Sequence, residues 1–328
     1  MPSLREAVSR LTPPVNRIAA YHFGWAHGDG QPTEAADQGS GIRPALALLS
    51  AQAVGADPSA GIPGGVAVEL VHNSSLLHDD FIDGSETRRS RPTAWSIFGP
   101  AQAVLAGDAL FAIAPDVLFR TSGATQDSAR AVKLLTQASC RIADGRALDM
   151  LLRLRWGVSV DECIEMAAGK TAALFACASS IGAVLGGGDD STVHSLERYG
   201  YHLGLTFQAV DDLLGIWGSP EATGRPRWND LRRRKKSLPV CAALAQGSAK
   251  SQQISELLIT PRGFTSEDDI KLALCVSLIE QAGGRDWAKE EAHRQCDAAL
   301  TALEDTDMPA AVREHLHAIA AHTISRVR

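Results

Sequence analysis

The stretch from Glu69 to Asp83, with the sequence ELVHNSSLLHDDFID, combines an apolar segment with three aspartates. Its apolar residues recur at helical spacing, so it predicts a buried helix that ends in carboxylates. Asp79 and Asp83 would share one helical face, with Asp80 beside them. Like charges repel at this spacing and a buried unpaired carboxylate is costly, so the pattern indicates a bound Mg²⁺. The alternative is a solvated acidic helix end, which the apolar flank disfavours.

A second acidic pair, Asp211 and Asp212, follows another helical stretch in the sequence FQAVDDLLG. One such pair is weak evidence for a site. Two pairs, about 130 residues apart, suggest two helices that face each other across a cavity. We expect such a cavity to hold Mg²⁺ ions that are bridged by a diphosphate.

Composition narrows the fold and the possible partners. The chain has 328 residues, 45% of them hydrophobic and only 5% aromatic, and its apolar spacing predicts an all-α protein with many helices. The net charge of −6 argues against nucleic acid as a partner. The sequence contains no apolar run of about 18 residues, so we expect no integral membrane segment. Six scattered cysteines indicate reduced thiols in a cytoplasmic protein.

Basic residues follow both acidic clusters. The segment TRRSRP at 87–92 comes directly after the first cluster, and DLRRRKKSLP at 230–239 follows the second. Lys170 lies within an apolar helix, where it needs an anionic partner, and Arg43 lies at a predicted helix start. Arginine forks bind phosphate oxygens, so these cations would complete a diphosphate site. A solvated basic face is the alternative for the second run.

In this order, the motifs resemble those of trans-isoprenyl diphosphate synthases in the polyprenyl synthetase family. LLHDDFIDGSETRRSRPTAW and GLTFQAVDDLLGIWG resemble the two aspartate-rich motifs, GKTAALF the Lys-Thr motif, and DLRRRKKSLP the late lysine segment. The resemblance implies an all-α helical bundle around a central cavity, as one domain over residues 1–328, and usually a homodimer. The motifs span about 39–239, and further helices fill 240–328.

The resemblance also implies roles for individual residues. Three Mg²⁺ ions, with substrate bound, would be held by Asp79, Asp80, Asp83, Asp211 and Asp212. The allylic diphosphate would be bound by Arg88, Lys170 and Lys235. Isopentenyl diphosphate would be bound by Arg43, His72 and Arg89, and the reacting carbocation stabilised by Thr171 and Gln208.

Product length is expected to depend on the residues before the first motif. In the family, aromatic residues four and five positions before the first aspartate block the growing chain, and here those positions are Ser75 and Ser74. Val71, one turn earlier, is of middle size. These small residues predict a product longer than farnesyl, with geranylgeranyl diphosphate the best single choice. Alternatively, the serines only bond back to their helix and a neighbouring helix sets the length.

Three positions depart from the family pattern and motivate two alternative functions. Ser40 replaces a lysine that binds isopentenyl diphosphate in the family, and Arg146 replaces a glutamine. Gly215 replaces a third aspartate, and this change would weaken one metal position. A terpene synthase of the same fold would ionise a prenyl diphosphate without isopentenyl diphosphate, but the chain lacks the full metal motif of such enzymes. A non-catalytic subunit of a heteromeric synthase is the other alternative, although both acidic pairs are intact.

Overall fold

The computed structural model describes residues 2–33, 41–155, 157–224, 226–258 and 268–326. Within these residues the regular structure is almost entirely helical, which confirms the predicted all-α class. The helices are α1 (Pro2–Ser9), α2 (Val15–His22), α3 (Ile42–Ala53), α4 (Ile62–Ile82), α5 (Ala94–Phe98), α6 (Pro100–Ser122), α7 (Gln126–Arg153), α8 (Val160–Ala167), α9 (Ala173–Leu185), α10 (Asp190–Trp217), α11 (Pro220–Thr223), α12 (Asn229–Arg232), α13 (Leu238–Ala245), α14 (Ala249–Leu258), α15 (Asp269–Gln281), α16 (Gly284–Thr301) and α17 (Ala310–Ser325).

Two short helical turns and two short strands accompany these helices. A 3-10 turn at Pro58–Gly61 precedes α4, and a π-helical turn at Ala168–Ala172 joins α8 to α9. Strands β1 (Thr87–Arg88) and β2 (Arg91–Pro92) pair antiparallel to form one hairpin.

The chain forms two compact units. The first consists of Met1–Ser139, Cys177–Glu197 and Asp305–Leu316, and the second of Cys140–Ala176, Arg198–Glu304 and His317–Arg328. The first acidic motif belongs to the first unit, and the second acidic motif belongs to the second.

Helix α4 contributes many buried residues to the first unit and packs on α3 and α6. Leu70 and Leu77 of α4 are fully buried, as are Leu110 and Leu118 of α6. Each such side chain contributes about 1.5–3 kcal/mol when it is removed from water. The packing therefore fixes the axis of α4 and with it the position of its acidic last turn.

In the second unit, α7 crosses the π-helical turn at backbone contact. A Cβ on Gly145 would lie 2.3 Å from the backbone nitrogen of Lys170, and one on Gly169 would lie 2.7 Å from the carbonyl oxygen of Arg141. Only glycine allows this approach, because real Cβ atoms do not come so close to backbone. The crossing brings the side chain of Lys170 to the end of α7.

A separate apolar cluster anchors the region after the second acidic motif. Its buried members include Ile216, Leu231, Val240, Ile254 and Ile279, which come from five different helices. The cluster fixes α12 against the end of α10, so the chain segment that carries the late basic residues is held at a defined place.

Two helical spans of the described residues are long and apolar enough to cross a membrane by length and composition. The first is Val160–Leu185, and 78% of its most apolar window is buried. The second is Pro100–Arg120, and 39% of its most apolar window is buried. The first has the burial of a core helix, and a core helix passes the same test. The second leaves an apolar face of α6 uncovered.

Candidate active site

The first acidic motif occupies the last turn of α4, as the sequence predicts. Asp80 is only 2% exposed, and Nε of Arg88 lies 2.9 Å from both of its carboxylate oxygens. Such a fork-shaped, charge-assisted contact is stronger than a neutral hydrogen bond. Asp79 and Asp83 are half-buried and four residues apart. Asp80 therefore orients the arginine, while Asp79 and Asp83 have the spacing to share a cation.

A left-handed cap ends α4 directly after the motif. Gly84 has φ +61°, its amide donates to the carbonyl of Phe81 at 3.0 Å, and the amide of Ser85 donates to that of Asp80 at 2.8 Å. This Schellman arrangement favours glycine, because a left-handed backbone conformation is strained for other residues. The chain consequently reverses and returns its basic segment toward the carboxylates.

The basic segment forms the β1–β2 hairpin, which the sequence did not predict. Arg88 pairs with Arg91 across the hairpin, and Arg89 and Ser90 form the two-residue turn. Both turn residues have positive φ, +50° and +59°, where asparagine and glycine are the usual occupants. Holding a non-glycine residue there costs about 1–3 kcal/mol, so this turn stores strain where three arginines meet.

Arg43 and His72 are brought together in the first unit. Nη1 of Arg43 lies 3.2 Å from Nε2 of His72 and donates to it, so the histidine is neutral. Burial and then the charge of Arg43 hold the pKa of His72 well below its usual value. Burial lowers the pKa of Arg43 to about 10, against the charge of Glu69. Arg43 and His72, both expected to bind isopentenyl diphosphate, are thus in direct hydrogen-bond contact.

In the second unit, Lys170 is paired with Asp149 at the end of α7. Nζ of Lys170 lies 2.6 Å from Oδ2 of Asp149, and Nη2 of Arg153 lies 2.7 Å from the same oxygen. Burial opposes ionisation of Asp149, yet the two cations together hold its pKa well below the usual value. Asp149 was not among the predicted site residues, because only the folded contact across Gly145 reveals that it positions Lys170.

The two residues expected to stabilise the carbocation are linked to the second acidic motif. The hydroxyl of Thr171 donates to Oε1 of Gln208 at 2.5 Å, and Nε2 of Gln208 donates to Oδ1 of Asp212 at 2.7 Å. The backbone amide of Leu238 donates to the other oxygen of Asp212 at 2.8 Å. The carboxylate of Asp212 therefore accepts hydrogen bonds on both oxygens and fixes the amide of Gln208.

Asp212 lies in an electrostatic environment that disfavours its ionised form. It is 4% exposed, and burial, followed by the charge of Asp230, raises its pKa to about 7, with a smaller contribution from Asp211. The hydrogen bonds from Leu238 and Gln208 lower the pKa of Asp212 but offset only part of this rise. Buried carboxylates that repel one another are stabilised by a cation.

Asp230 is a further carboxylate that the sequence reasoning did not assign to the site. It is 1% exposed, and its Oδ1 lies 3.2 Å both from Nζ of Lys235 and from Nδ2 of Asn229. Its Oδ2 is buried without a hydrogen-bond partner among the described residues. A Cβ on Gly215 would lie only 2.3 Å from this oxygen. Gly215, which replaces the third aspartate of the family motif, thus makes room for Asp230.

Backbone strain coincides with both basic loops. Among the described residues, the four non-glycine residues with positive φ are Arg89, Ser90, Trp228 and Arg234. The first two form the arginine hairpin, and the other two bracket α12, which carries Asp230. Strained backbone conformations cluster at functional sites. The positive φ angles therefore point to the same two loops as the sequence motifs do.

The remaining predicted residues are located as follows. Ser74 and Val71 are buried, whereas Ser75 is half-buried and donates its hydroxyl to the carbonyl of His72 at 2.6 Å. Ser75 thus bonds back to its own helix, as the alternative reading expected. Arg146 is half-buried on α7. Ser40 lies outside the described residues.

Mg²⁺ fits the carboxylates that are present. It usually takes one or two protein carboxylates and completes its shell with water and phosphate oxygens. The described residues contain no group of three or more His, Cys, Asp or Glu arranged to hold a metal ion. They do contain the Asp79–Asp83 pair and the buried Oδ2 of Asp230, an oxygen that a nearby cation would stabilise. Substrate oxygens would therefore supply the rest of the coordination.

The fold and the site define a helical protein whose carboxylates and cations suit a metal-bound diphosphate. Residues 33–276 match the family described as polyprenyl synthetase. The chain belongs to the polyprenyl synthetase family, which confirms the resemblance found in its motifs.

Relatives and solved structures agree with this family. The chain is 42% identical over 325 residues to a (2E,6E)-farnesyl diphosphate synthase of Mycobacterium tuberculosis, covering 99% of this chain and 90% of the relative. It is 42% identical over 306 residues to a geranylgeranyl diphosphate synthase of the same species, covering 93% and 85%. A polyprenyl synthetase structure from Streptomyces coelicolor superimposes with a TM-score of 0.91 at 54% identity, covering 98% of this chain and 95% of that one.

Proposed function

We propose that the protein is a trans-prenyltransferase that condenses an allylic diphosphate with isopentenyl diphosphate to a short-chain polyprenyl diphosphate. One observation carries this proposal: each unit pairs a buried carboxylate with a basic side chain on a strained loop, and such a cation can bind phosphate. Family membership supports the same reaction. We further propose that residues 1–328 act as a single polyprenyl synthetase domain.

Magnesium is the proposed cofactor, as three ions once substrate is bound. Asp79 and Asp83 would hold it in the first unit, and Asp211 with Asp212 in the second, where Asp230 adds a neighbouring carboxylate. When bound, the ions neutralise charge on the departing diphosphate. Asp80, predicted as a ligand, is held by Arg88, so we assign it to orienting that arginine.

The basic side chains bind and orient the two substrates. Arg88, Lys170 and Lys235 are each held by a buried carboxylate, at 2.8, 2.6 and 3.2 Å, which fixes the cation before the allylic diphosphate arrives. Arg43, His72 and Arg89 are proposed to bind isopentenyl diphosphate, the nucleophile of the condensation.

The condensation needs no nucleophilic side chain from the protein. The cations stabilise negative charge on the leaving diphosphate, so that the allylic carbon–oxygen bond breaks. The hydroxyl of Thr171 and the amide of Gln208 form a fixed pair whose oxygens would stabilise the allylic cation. That cation adds to the double bond of isopentenyl diphosphate, and the new intermediate loses a proton to the departed diphosphate.

We propose geranylgeranyl diphosphate as the product. Ser74, Ser75 and Val71 offer no aromatic side chain to stop a growing chain one turn above the acidic motif. The curated relatives carry names for both farnesyl and geranylgeranyl products. The choice therefore rests on the small residues.

We propose a homodimer formed through the uncovered face of α6. Leu105, Phe111 and Phe119 are 54%, 47% and 42% exposed there. Apolar side chains exposed together along one helix indicate a surface that a partner covers, and a second copy of the chain supplies the same apolar face. The free thiols fit the reducing cytoplasm, where we place the protein. The acidic net charge disfavours nucleic acid as a partner.

One assay tests the proposed reaction. Purified protein and Mg²⁺ are incubated with farnesyl diphosphate, with and without isopentenyl diphosphate, and extracts are analysed by mass spectrometry. The proposal predicts a longer diphosphate only when both substrates are present. Asp79→Asn should abolish it, while Asp297→Asn, at an exposed position of α16, should not.

Other outcomes would contradict the proposal. A hydrocarbon or alcohol made without isopentenyl diphosphate would indicate a terpene synthase. No turnover with any substrate pair would indicate a non-catalytic subunit.

A further inference from the structure

A cleft in the first unit lies between the end of α2 and the arginine hairpin. His22 and Asn73 line it together with Arg88, Arg89 and Arg91. The only acidic residue among its lining side chains is Asp80, which is already paired with Arg88. The cleft is therefore cationic and suits an anion.

Arg91 attaches the end of α2 to this cleft. Its guanidinium donates to the carbonyls of Tyr21 at 3.3 Å and Ala26 at 3.2 Å, and it lies 4.7 Å from the Tyr21 ring centroid. The hydroxyl of Tyr21 in turn donates to the carbonyl of Pro92 at 2.7 Å. These contacts make Arg91 a positioning residue that fixes the neighbouring His22 at the wall of the cleft.

Asn73 determines which ring nitrogen of His22 carries the hydrogen. Nδ2 of Asn73 donates to the backbone carbonyl of Glu69 at 2.8 Å and to Oε1 of the same residue at 2.9 Å. Since both partners are acceptors, the amide oxygen of Asn73 must face Nε2 of His22, which lies 3.2 Å away. Nε2 consequently carries a hydrogen, and Nδ1 is left to bind another group.

The charges around His22 connect it with the isopentenyl diphosphate residues. Burial, followed by the charges of Arg88 and then of Arg89 and Arg91, lowers the pKa of His22 to about 3, so the ring is neutral in the free protein. Arg89, one of the residues proposed to bind isopentenyl diphosphate, lines the same cleft as His22. A bound diphosphate would oppose the arginine charges and favour a proton on Nδ1.

We propose that His22, held by Asn73 and Arg91, is a further binding residue for the diphosphate of isopentenyl diphosphate. This inference rests on the proposed function. Nδ1 of His22 and a phosphate oxygen share one proton, supplied by solvent or by the hydrogen diphosphate form. In the sequence, Ser40 replaces the lysine that the family motif has, so one cation fewer is available for this diphosphate.

Steady-state kinetics with both substrates test the assignment. His22→Ala should raise the Michaelis constant for isopentenyl diphosphate about tenfold, the loss expected for one charge-assisted hydrogen bond. The constant for the allylic diphosphate should change less than about twofold. His22→Gln, which keeps a partner for Asn73 but takes up no proton, should show most of the same loss. His27→Ala, at an exposed position of the same segment, serves as the control and should match the wild type.

A second measurement separates binding from structural support. Calorimetry of isopentenyl diphosphate binding in buffers of different ionisation enthalpy should show a protonation change in the wild type that His22→Gln removes. The inference is overturned if both His22 variants bind isopentenyl diphosphate like the wild type, or if both substrate constants rise equally. If the wild type forms no prenyl diphosphate, the proposed function fails, and calorimetry alone then decides whether His22 binds the diphosphate.

Discussion

Gly215 provides the sharpest test of how the second acidic motif is built. A Cβ there would lie 2.3 Å from Oδ2 of Asp230, whereas ordinary contacts begin at 3.4 Å, so the carboxylate would have to move by about 1 Å. That movement would disturb its contact with Lys235. Overpacking costs about 1–3 kcal/mol, and replacing a helical glycine with alanine returns up to about 1 kcal/mol. We expect Gly215→Ala to lower the free energy of unfolding by about 1 kcal/mol.

Gly215→Asp restores the residue that the family usually has, yet we expect it to be the worse variant. It adds a third carboxylate beside buried Asp212 and Asp230, and we expect it to lower the free energy of unfolding by about 3 kcal/mol. Urea unfolding and kcat/KM with Mg²⁺ would measure both effects. Gly157→Ala, where a Cβ meets nothing within 4 Å, is the control. A Gly215→Asp protein that is equally stable and more active would refute the reasoning.

Four further predictions follow from the same contacts. Gly145→Ala should destabilise the protein by at least about 2 kcal/mol in urea unfolding, because the new Cβ meets backbone at 2.3 Å; equal stability of this variant and Gly157→Ala would contradict it. Ser75→Phe should shorten the product, as read by mass spectrometry; an unchanged product would indicate that Ser75 only bonds back to its helix. Burial raises the pKa of native Asp212 to about 7, above its usual 3.8, so the native protein binds more protons than the unfolded chain. Without metal, the free energy of unfolding should therefore fall by at most about 4 kcal/mol as pH rises from about 4 to 7, and a flat profile in urea unfolding would refute the assignment. Ser40→Lys should lower the Michaelis constant for isopentenyl diphosphate, and an unchanged constant would remove Ser40 from the account.

The features that were predictable from sequence are those encoded locally. The apolar periodicity before Asp79 and before Asp211 predicted helices that carry carboxylates. Asp79 lies in the last turn of α4, whereas α10 continues past Asp211 to Trp217. The order of the motifs predicted the family, which the family match confirms. Periodicity and motif order need no knowledge of tertiary contacts, so a single sequence was sufficient for them.

The features that were not predictable depend on tertiary contacts or on unusual backbone. Arg89 and Ser90 are not typical hairpin residues, so nothing local indicated the β1–β2 turn. Asp149 becomes part of the site only because two glycines let α7 touch the π-helical turn. Asp230 stood at the start of a basic run and looked like part of a solvated segment, whereas the fold buries it against Gly215.

Crystallography of the protein with Mg²⁺, isopentenyl diphosphate and a non-ionising allylic thiodiphosphate tests the central claim most directly. The account predicts metal ions bound by Asp79 with Asp83 and by Asp211 with Asp212, each also coordinated by diphosphate oxygens. Metal density at only one of the two acidic motifs, or a diphosphate bound away from both, would contradict it.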